Sequence, residues 1–238
     1  MCFLFKFMIK FFEDKIDILA VMSERKDGSM KLLGNDFDNE NRNKFFQKNK
    51  INKERIIFAN MIHGSEVAVA DKKSPQIIAG VDALVSKDNL FLAITVADCV
   101  PVYFYDEKNK IIGLAHAGWR GIASGIIKNT LDKMILLGAN IKEIELEMGP
   151  GIRKCHFEIK EDVLDKFREY PEFVIRKNAK IFIDLFGIIK KEALIFGMKA
   201  ENIFDSKECT FENKEKFFSY RRDKPEVVEV MMAIVGLS

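Results

Sequence analysis

Phe3, Phe5, Phe7, Ile9 and Phe11 alternate with other residues, which is the two-residue period of a strand with one buried face. From Gly28 to Lys53 the chain turns polar, with Asn35, Asp36, Asp38, Asn39, Asn41 and Asn43, and reads as a loop feeding a short helix near Phe45. Further on, Leu90 to Val96, Val100 to Tyr105 and Ile111 to Ala115 are strand-like apolar runs that together predict a hairpin. If Asp106 to Asn109 form its turn, Tyr105 faces Lys110 and the antiparallel ladder brings Cys99 opposite His116. A turn longer by one residue sends the two to opposite faces, and Pro101 is a source of local irregularity there.

After Gly121, the positions Ile122, Ile126, Ile127, Thr130, Leu131, Met134 and Ile135 fall at helical spacing, and Gly138 stands where a helix stops. A strand over Ile144 to Met148, the turn Gly149-Pro150-Gly151, and helical patterns around Val163 to Phe167 and Leu185 to Phe196 follow. Strands alternating with helices predict an α/β (α+β) layered fold, a mixed sheet covered by helices. There is no internal repeat and the prolines are scattered, so residues 1–238 are expected to form a single domain.

Composition narrows the partners. With 48% hydrophobic residues the chain can bury a substantial core, and 38 Lys plus Arg against 36 Asp plus Glu leave a formal charge of only +2. No strong field draws in nucleic acid or an anionic membrane, so the expected partner is a small molecule. Cys2, Cys99, Cys155 and Cys209 lack the regular spacing of a secreted disulfide framework and read as reduced thiols. Lys6 and Lys10 interrupt the apolar opening, no small-residue cleavage site follows it, and no segment approaches the roughly 20 apolar residues of a membrane span. A cytoplasmic location is expected.

The sharpest chemistry lies in His63-Gly64-Ser65-Glu66-Val67, in Ala97-Asp98-Cys99-Val100-Pro101, and in His116-Ala117-Gly118-Trp119-Arg120-Gly121. Two imidazoles and one thiolate suit tetrahedral zinc with its fourth position left to water or substrate. Spacing alone leaves equally open a buried Cys99 and histidines that merely satisfy backbone groups. Asp82 and Asp98 are candidates to orient a ligand imidazole, or to cap turns. Gly118-Trp119-Arg120-Gly121 leads into a helix, where Arg120 and backbone N–H groups could hold phosphate; the alternative is a structural turn with a buried Trp. Ser219-Tyr220-Arg221-Arg222-Asp223 is a second basic spot whose default reading is a solvated charge run, and Cys155 and Cys209 allow a metal or redox role.

Taken together, HGSEV, DALVS, ADCVPVYFYD, GLAHAGWRG, GPGIRKCHFEI, ECT and FFSYRRD occur in the order of the YfiH-type, laccase-domain family, and from about His63 to Asp223 the chain resembles it closely. The resemblance implies a mixed α/β unit, one zinc held by His63, Cys99 and His116, and phosphorolysis of purine nucleosides (adenosine, inosine, methylthioadenosine) alongside adenosine deamination. Copper is implied as a substitute metal supporting weak polyphenol oxidation. An arginine that contacts ligand in the family corresponds to Arg42. The chain departs from the family at Met61, where Gln is common, and at Lys224-Pro225-Glu226-Val227, where a Gly-Arg pair is usual; both bear on substrate choice.

On this reading Cys99, His116 and Asp98 carry the chemistry, with Asp98 moving a proton, while Arg42 and Arg120 hold phosphate. Three rivals stand beside it. A multicopper oxidase site needs roughly ten imidazole ligands, and the chain has 3 histidines. A metal-free hydrolase could use Cys99 and His116 on an amide or ester, such as a peptidoglycan precursor. A non-enzymatic binding module would leave the His/Cys/His set without a purpose.

Overall fold

The computed structural model describes residues 9–31 and 39–237. In chain order the first strands are β1 (Ile9–Phe11), β2 (Ile18–Met22), β3 (Ile56–Asn60), β4 (Val67–Val69), β5 (Ile77–Ala79), β6 (Ala83–Ser86) and β7 (Phe91–Val96). They are followed by β8 (Val100–Asp106), β9 (Ile111–Ala117), β10 (Glu145–Met148), β11 (Glu158–Ile159), β12 (Val174–Lys177), β13 (Lys180–Ile183), β14 (Ile203–Asp205) and β15 (Met231–Leu237). The helices are α1 (Glu40–Lys48), α2 (Trp119–Ala123), α3 (Ile126–Leu136), α4 (Glu161–Leu164), α5 (Leu185–Phe196) and α6 (Tyr220–Asp223).

The expected mixed sheet is split in two. One six-stranded sheet runs β1-β2-β15-β7-β3-β5 and a second runs β14-β10-β8-β9-β6-β4, while β11-β13-β12 form a small third sheet. Each large sheet mixes parallel pairs, such as β3 with β7 and β4 with β6, with antiparallel ones. The two stack face to face through Leu92, Ile94, Tyr103, Tyr105, Leu114 and Val235. Helices cover the outer faces: Phe45 and Phe46 of α1 pack on Phe58 and Ile234, and α2, α3 and α5 pack on Val102, Phe104 and Ala115. Strands covered on both sides have no solvent face, which is why β8, β9 and β15 are buried along their whole length. Each fully buried Phe or Leu here contributes about 1.5–3 kcal/mol.

Several elements differ from expectation. Of the alternating N-terminal stretch only Ile9–Phe11 is a strand among the described residues; Phe3, Phe5 and Phe7 lie outside them, as do Cys2, Asn35, Asp36 and Asp38. The β8–β9 hairpin forms, but Asp106 pairs with Ile111 and Pro101 with His116, two positions from the expected register. A shift of two keeps every side chain on its face, so Cys99 and His116 remain on the side that looks toward the other sheet. β7 does not join this hairpin, since residues 97–99 carry the chain from the first sheet to the second. The single helix expected after Gly121 is broken into α2 and α3 at Ser124-Gly125, where Gly125 takes a left-handed φ of 83°.

Candidate metal centre and cavity

Two connections cross from one large sheet to the other at the same end of the sandwich. After β3 the chain turns through residues 61–66 into β4, and after β7 it turns through 97–99 into β8. Each crossing contains a non-glycine residue in the left-handed region, His63 at φ 61° and Asp98 at φ 84°. Such conformations cost roughly 1–3 kcal/mol each and persist only where surrounding bonds over-determine them.

For the first crossing those bonds come from Asp82, which is fully buried. Its Oδ1 accepts from the His63 N–H at 2.9 Å, and its Oδ2 accepts from the N–H groups of Gly64 at 2.7 Å and Ile62 at 3.2 Å. His116 Nδ1 also lies 2.9 Å from Asp82 Oδ1. Burial works against the charge on this carboxyl, but the His116, Gly64 and Ile62 hydrogen bonds hold it below the usual carboxylate range. An ionised carboxylate only accepts, so His116 Nδ1 carries the proton and Nε2 is left for Cys99.

Asp98 secures the second crossing differently. Its Oδ1 accepts from Thr210 Oγ1 at 2.7 Å and its Oδ2 from the Arg221 N–H at 2.7 Å, while its carbonyl accepts from the Ile152 N–H. Both carboxylate oxygens are thus engaged in holding the C-terminal segment, and Asp98 touches neither imidazole through them. These bonds tie Asp98, expected to orient a ligand imidazole or move a proton, to the segment that carries Thr210 and Arg221.

The result is that His63, Cys99 and His116 present donor atoms all within 4.8 Å of one another. The two imidazole rings meet edge-on with centroids 4.8 Å apart. Gly118 completes the geometry: a Cβ there would stand 3.0 Å from Cys99 Sγ and 3.6 Å from His116 Cε1, so the space a side chain would take belongs to the donor set. Burial, with help from His116 and Arg120, lowers the His63 pKa and favours a neutral imidazole. Burial likewise opposes charge on His116, but Cys99 and Asp82 outweigh it and raise the pKa to about 10. Two nitrogens and one sulfur converging from three separate segments fit a tetrahedral cation with one position left open.

The three donors line a cavity of about 510 Å³, within the range of small-molecule sites. Trp119, Phe157 and Tyr220 give it aromatic walls, and Arg120 and Arg221 give it positive charge. Arg120 lies over the Trp119 ring at 4.3 Å. The Arg221 guanidinium passes 5.4 Å from the Phe157 ring and donates to the Glu158 carbonyl at 2.7 Å. Arg120 is solvent-exposed, whereas Arg221, in the stretch expected to be a solvated charge run, is half-buried.

Arg42 is not at this site. It sits on α1, on the far side of the first sheet, fully buried, with Nε and Nη2 donating to the Met30 carbonyl at 2.9 and 2.6 Å and its guanidinium 5.3 Å from the Phe58 ring. These contacts hold its guanidinium at the α1 face, away from the cavity. Arg221, of the second basic spot, lines the cavity where Arg42 does not. Met61, where the family commonly has Gln, and Phe157, of the GPGIRKCHFEI stretch, also line the cavity.

A family model described as multi-copper polyphenol oxidoreductase laccase matches residues 37–238. The chain is 36% identical over 181 residues to a purine nucleoside phosphorylase of Deinococcus radiodurans, an alignment covering 75% of this chain and 68% of that one. It is 31% identical over 182 residues to an adenosine deaminase from an unknown prokaryotic organism, covering 70% of each. The hypothetical protein YfiH of Bacillus licheniformis has the same fold, with a TM-score of 0.85 at 28% identity over 93% of both chains. The match spans most of the chain and includes both sheet crossings and the donors they deliver, so this protein belongs to the YfiH-type, laccase-like family.

Proposed function

We propose that this protein is a purine nucleoside phosphorylase whose catalytic centre is the cavity formed around His63, Cys99 and His116. The observation that carries the reading is the meeting, in one cavity of about 510 Å³, of a three-donor His/Cys/His set with two guanidinium groups and an aromatic wall. The relative from Deinococcus radiodurans supports the same activity. Zinc is the metal the donor set suits best, with copper a weaker substitute. When bound, it supplies positive charge and an open coordination position at the reacting centre.

The chain's own residues do the rest. Arg120 and Arg221 hold inorganic phosphate, since the guanidinium fork matches phosphate oxygens and stays charged at every working pH. Trp119, Phe157 and Tyr220 receive the purine on their faces. Held this way, a phosphate oxygen forms a bond to ribose C1′ as the C1′–N9 bond breaks, and the bonding pair leaves with the base. The acceleration comes from alignment and from cations placed around a developing anion. Asp82 and Asp98 position His63, His116, Cys99 and Arg221 without touching substrate.

Adenosine deamination at the same site is a second activity, supported by the 31% identical deaminase. Among the described residues lining the cavity Asp98 is the only carboxylate, and both its oxygens already accept hydrogen bonds, which weights the balance toward phosphorolysis. Polyphenol oxidation, which the family description names, finds 3 histidines where a multicopper site needs roughly ten.

The test is release of hypoxanthine and adenine from inosine and adenosine, with and without phosphate, in wild type and Cys99→Ala. Phosphate-dependent base release that disappears in Cys99→Ala is the expected result. Metal-bearing, folded protein that releases neither base nor ammonia would refute the proposal, and turnover unchanged by full metal removal would favour the thiol hydrolase.

A further inference from the structure

The metal-donor chemistry of this chain is not confined to the cavity. Cys155 and His156 stand on the turn that follows Gly151, and Cys209 and Glu212 on a turn more than fifty residues later. The structure brings Cys155, His156 and Cys209 together, with Glu212 against the first two. Cys155 Sγ lies 3.1 Å from His156 Nδ1 and 3.4 Å from Glu212 Oε1. His156 Nδ1 lies 3.5 Å from Glu212 Oε1 and 3.9 Å from Cys209 Sγ, and the two sulfurs and the nitrogen are all within 4.8 Å of one another.

These spacings are those of a coordination shell. With metal–sulfur bonds near 2.3 Å and metal–nitrogen and metal–oxygen bonds near 2.0 Å, the edges of a tetrahedral site run about 3.3–3.8 Å. The measured edges straddle that range. Both thiols can donate through S–H, as Cys155 does to Glu212, so hydrogen bonds can hold the cluster together; what singles it out is that two sulfurs and an imidazole nitrogen, all good metal donors, share that space. The surroundings also match: the His156 ring stacks on Phe211 at 4.3 Å and 16°, which fixes its orientation, and the Arg153 N–H approaches Cys209 Sγ at 3.5 Å, as backbone donors around a metal thiolate do.

We propose that Cys155, His156 and Cys209 form a second metal site, distinct from the cavity set, that takes a thiophilic divalent cation of the zinc type, with Glu212 beside Cys155 and His156 as the nearest fourth donor. With Glu212 drawn in as the fourth donor the shell would be closed, as in a structural site, where the cavity set is open. Its position gives it a task. Ile152 and Phe157, on either side of the first turn, line the cavity, and Thr210, next to Cys209, donates to Asp98 beside Cys99. A cation joining the two turns would rigidify the wall that carries Phe157 and the support that holds Cys99.

The experiment counts metal in reduced, full-length protein equilibrated with zinc and freed of loose ions. Wild type is expected to hold one equivalent more than Cys155→Ser, a change at an exposed position that leaves the fold intact by circular dichroism. Cys99→Ala is expected to retain an equivalent, and with cobalt(II) in place of zinc it should show a thiolate charge-transfer band and tetrahedral d–d intensity. Both signals should vanish when Cys155→Ser is added. Equal metal content in wild type and Cys155→Ser would overturn the proposal. So would a thiol count showing Cys155 and Cys209 joined as a disulfide under the same reducing conditions.

Discussion

Asp82 Oδ1 accepts from His116 Nδ1 at 2.9 Å and from the His63 backbone N–H at 2.9 Å, so one buried oxygen sets both the tautomer of one proposed ligand and the position of the other. Asp82→Asn places an amide where four donors converge, and whichever way it turns its NH2 faces an N–H. Metal affinity should fall about 10–100-fold, as for other residues that orient a metal-bound imidazole. Competition with a chromogenic chelator measures it. Unchanged affinity in a folded variant would remove Asp82 from the account of the site.

Gly118 is required for its lack of a side chain, since its φ of −75° suits any residue. Gly118→Ala puts a methyl 3.0 Å from Cys99 Sγ, and the thiol must move by a few tenths of an ångström. The expected phenotype is loss of metal and turnover by about tenfold or more with Tm shifted by only about 2–4 °C, the equivalent of about 1 kcal/mol in a chain of this size. Metal content and a thermal melt on the same preparation separate the two effects.

Arg42, expected from the sequence to hold phosphate, and Arg221, which lines the cavity, should behave differently from each other. Arg221→Ala removes a cation from the cavity, and a charge-assisted hydrogen bond worth about 1.5–3 kcal/mol predicts a rise of about 10–100-fold in KM for phosphate. Arg42→Ala should leave that KM alone and lower Tm, because its guanidinium is buried against Met30 and Phe58. Phosphate saturation curves for both variants decide it, and an Arg42 effect on KM without loss of stability would restore the sequence-based assignment.

Why the resemblance points to Arg42, while Arg221 reads as part of a solvated charge run, is a matter of range. His63, Cys99 and His116 each sit in a short, distinctive stretch, and the hairpin register links two of them by counting along one local ladder, so an error of two residues did no harm. Arg221 reaches the cavity through a bond to Asp98 across 123 positions, a contact that no local pattern encodes. The same limit hid the two-sheet architecture. β7 and β8 are separated by three residues and look like consecutive strands of one sheet, and only the left-handed Asp98 at the crossing sends them into different layers. Helix α5, by contrast, was legible to its ends, because an apolar stripe, an Asp184 cap that accepts from Gly187, and Gly197 at φ 115° are all local signals.

The histidines offer a direct electrostatic test in chelator-treated protein. With its pKa raised to about 10 by Cys99 and Asp82 against the opposing effect of burial, His116 should remain protonated at pH 8, while His63, lowered by burial and by His116, should be neutral. Its charge therefore contributes stability that is fully present below the unfolded value near 6.5 and is lost as pH rises through about 10. NMR titration of the imidazole C–H resonances reads both groups, and Cys99→Ala should move the His116 midpoint down. Zinc must displace the His116 proton, so loading should release acid and weaken as pH falls.

Glu192 supplies a prediction independent of any metal. Burial raises its pKa to about 7, and the hydrogen bond it accepts from Tyr170 Oη at 2.9 Å is too little to offset that, while Oε2 is buried with no hydrogen-bond partner among the described residues. Because the folded pKa lies above the unfolded value of 4.5, folding takes up a proton, and the cost of ionising Glu192 grows as pH rises from about 4.5 to 7 and is full above that. Glu192→Gln keeps an oxygen for Tyr170 and removes the charge. The variant should therefore melt about 2–4 °C above wild type at pH 8, the shift expected for about 1 kcal/mol in a chain of this length, and match it near pH 4. A gain of equal size at both pH values would show that packing, rather than the buried charge, is what the glutamine relieves.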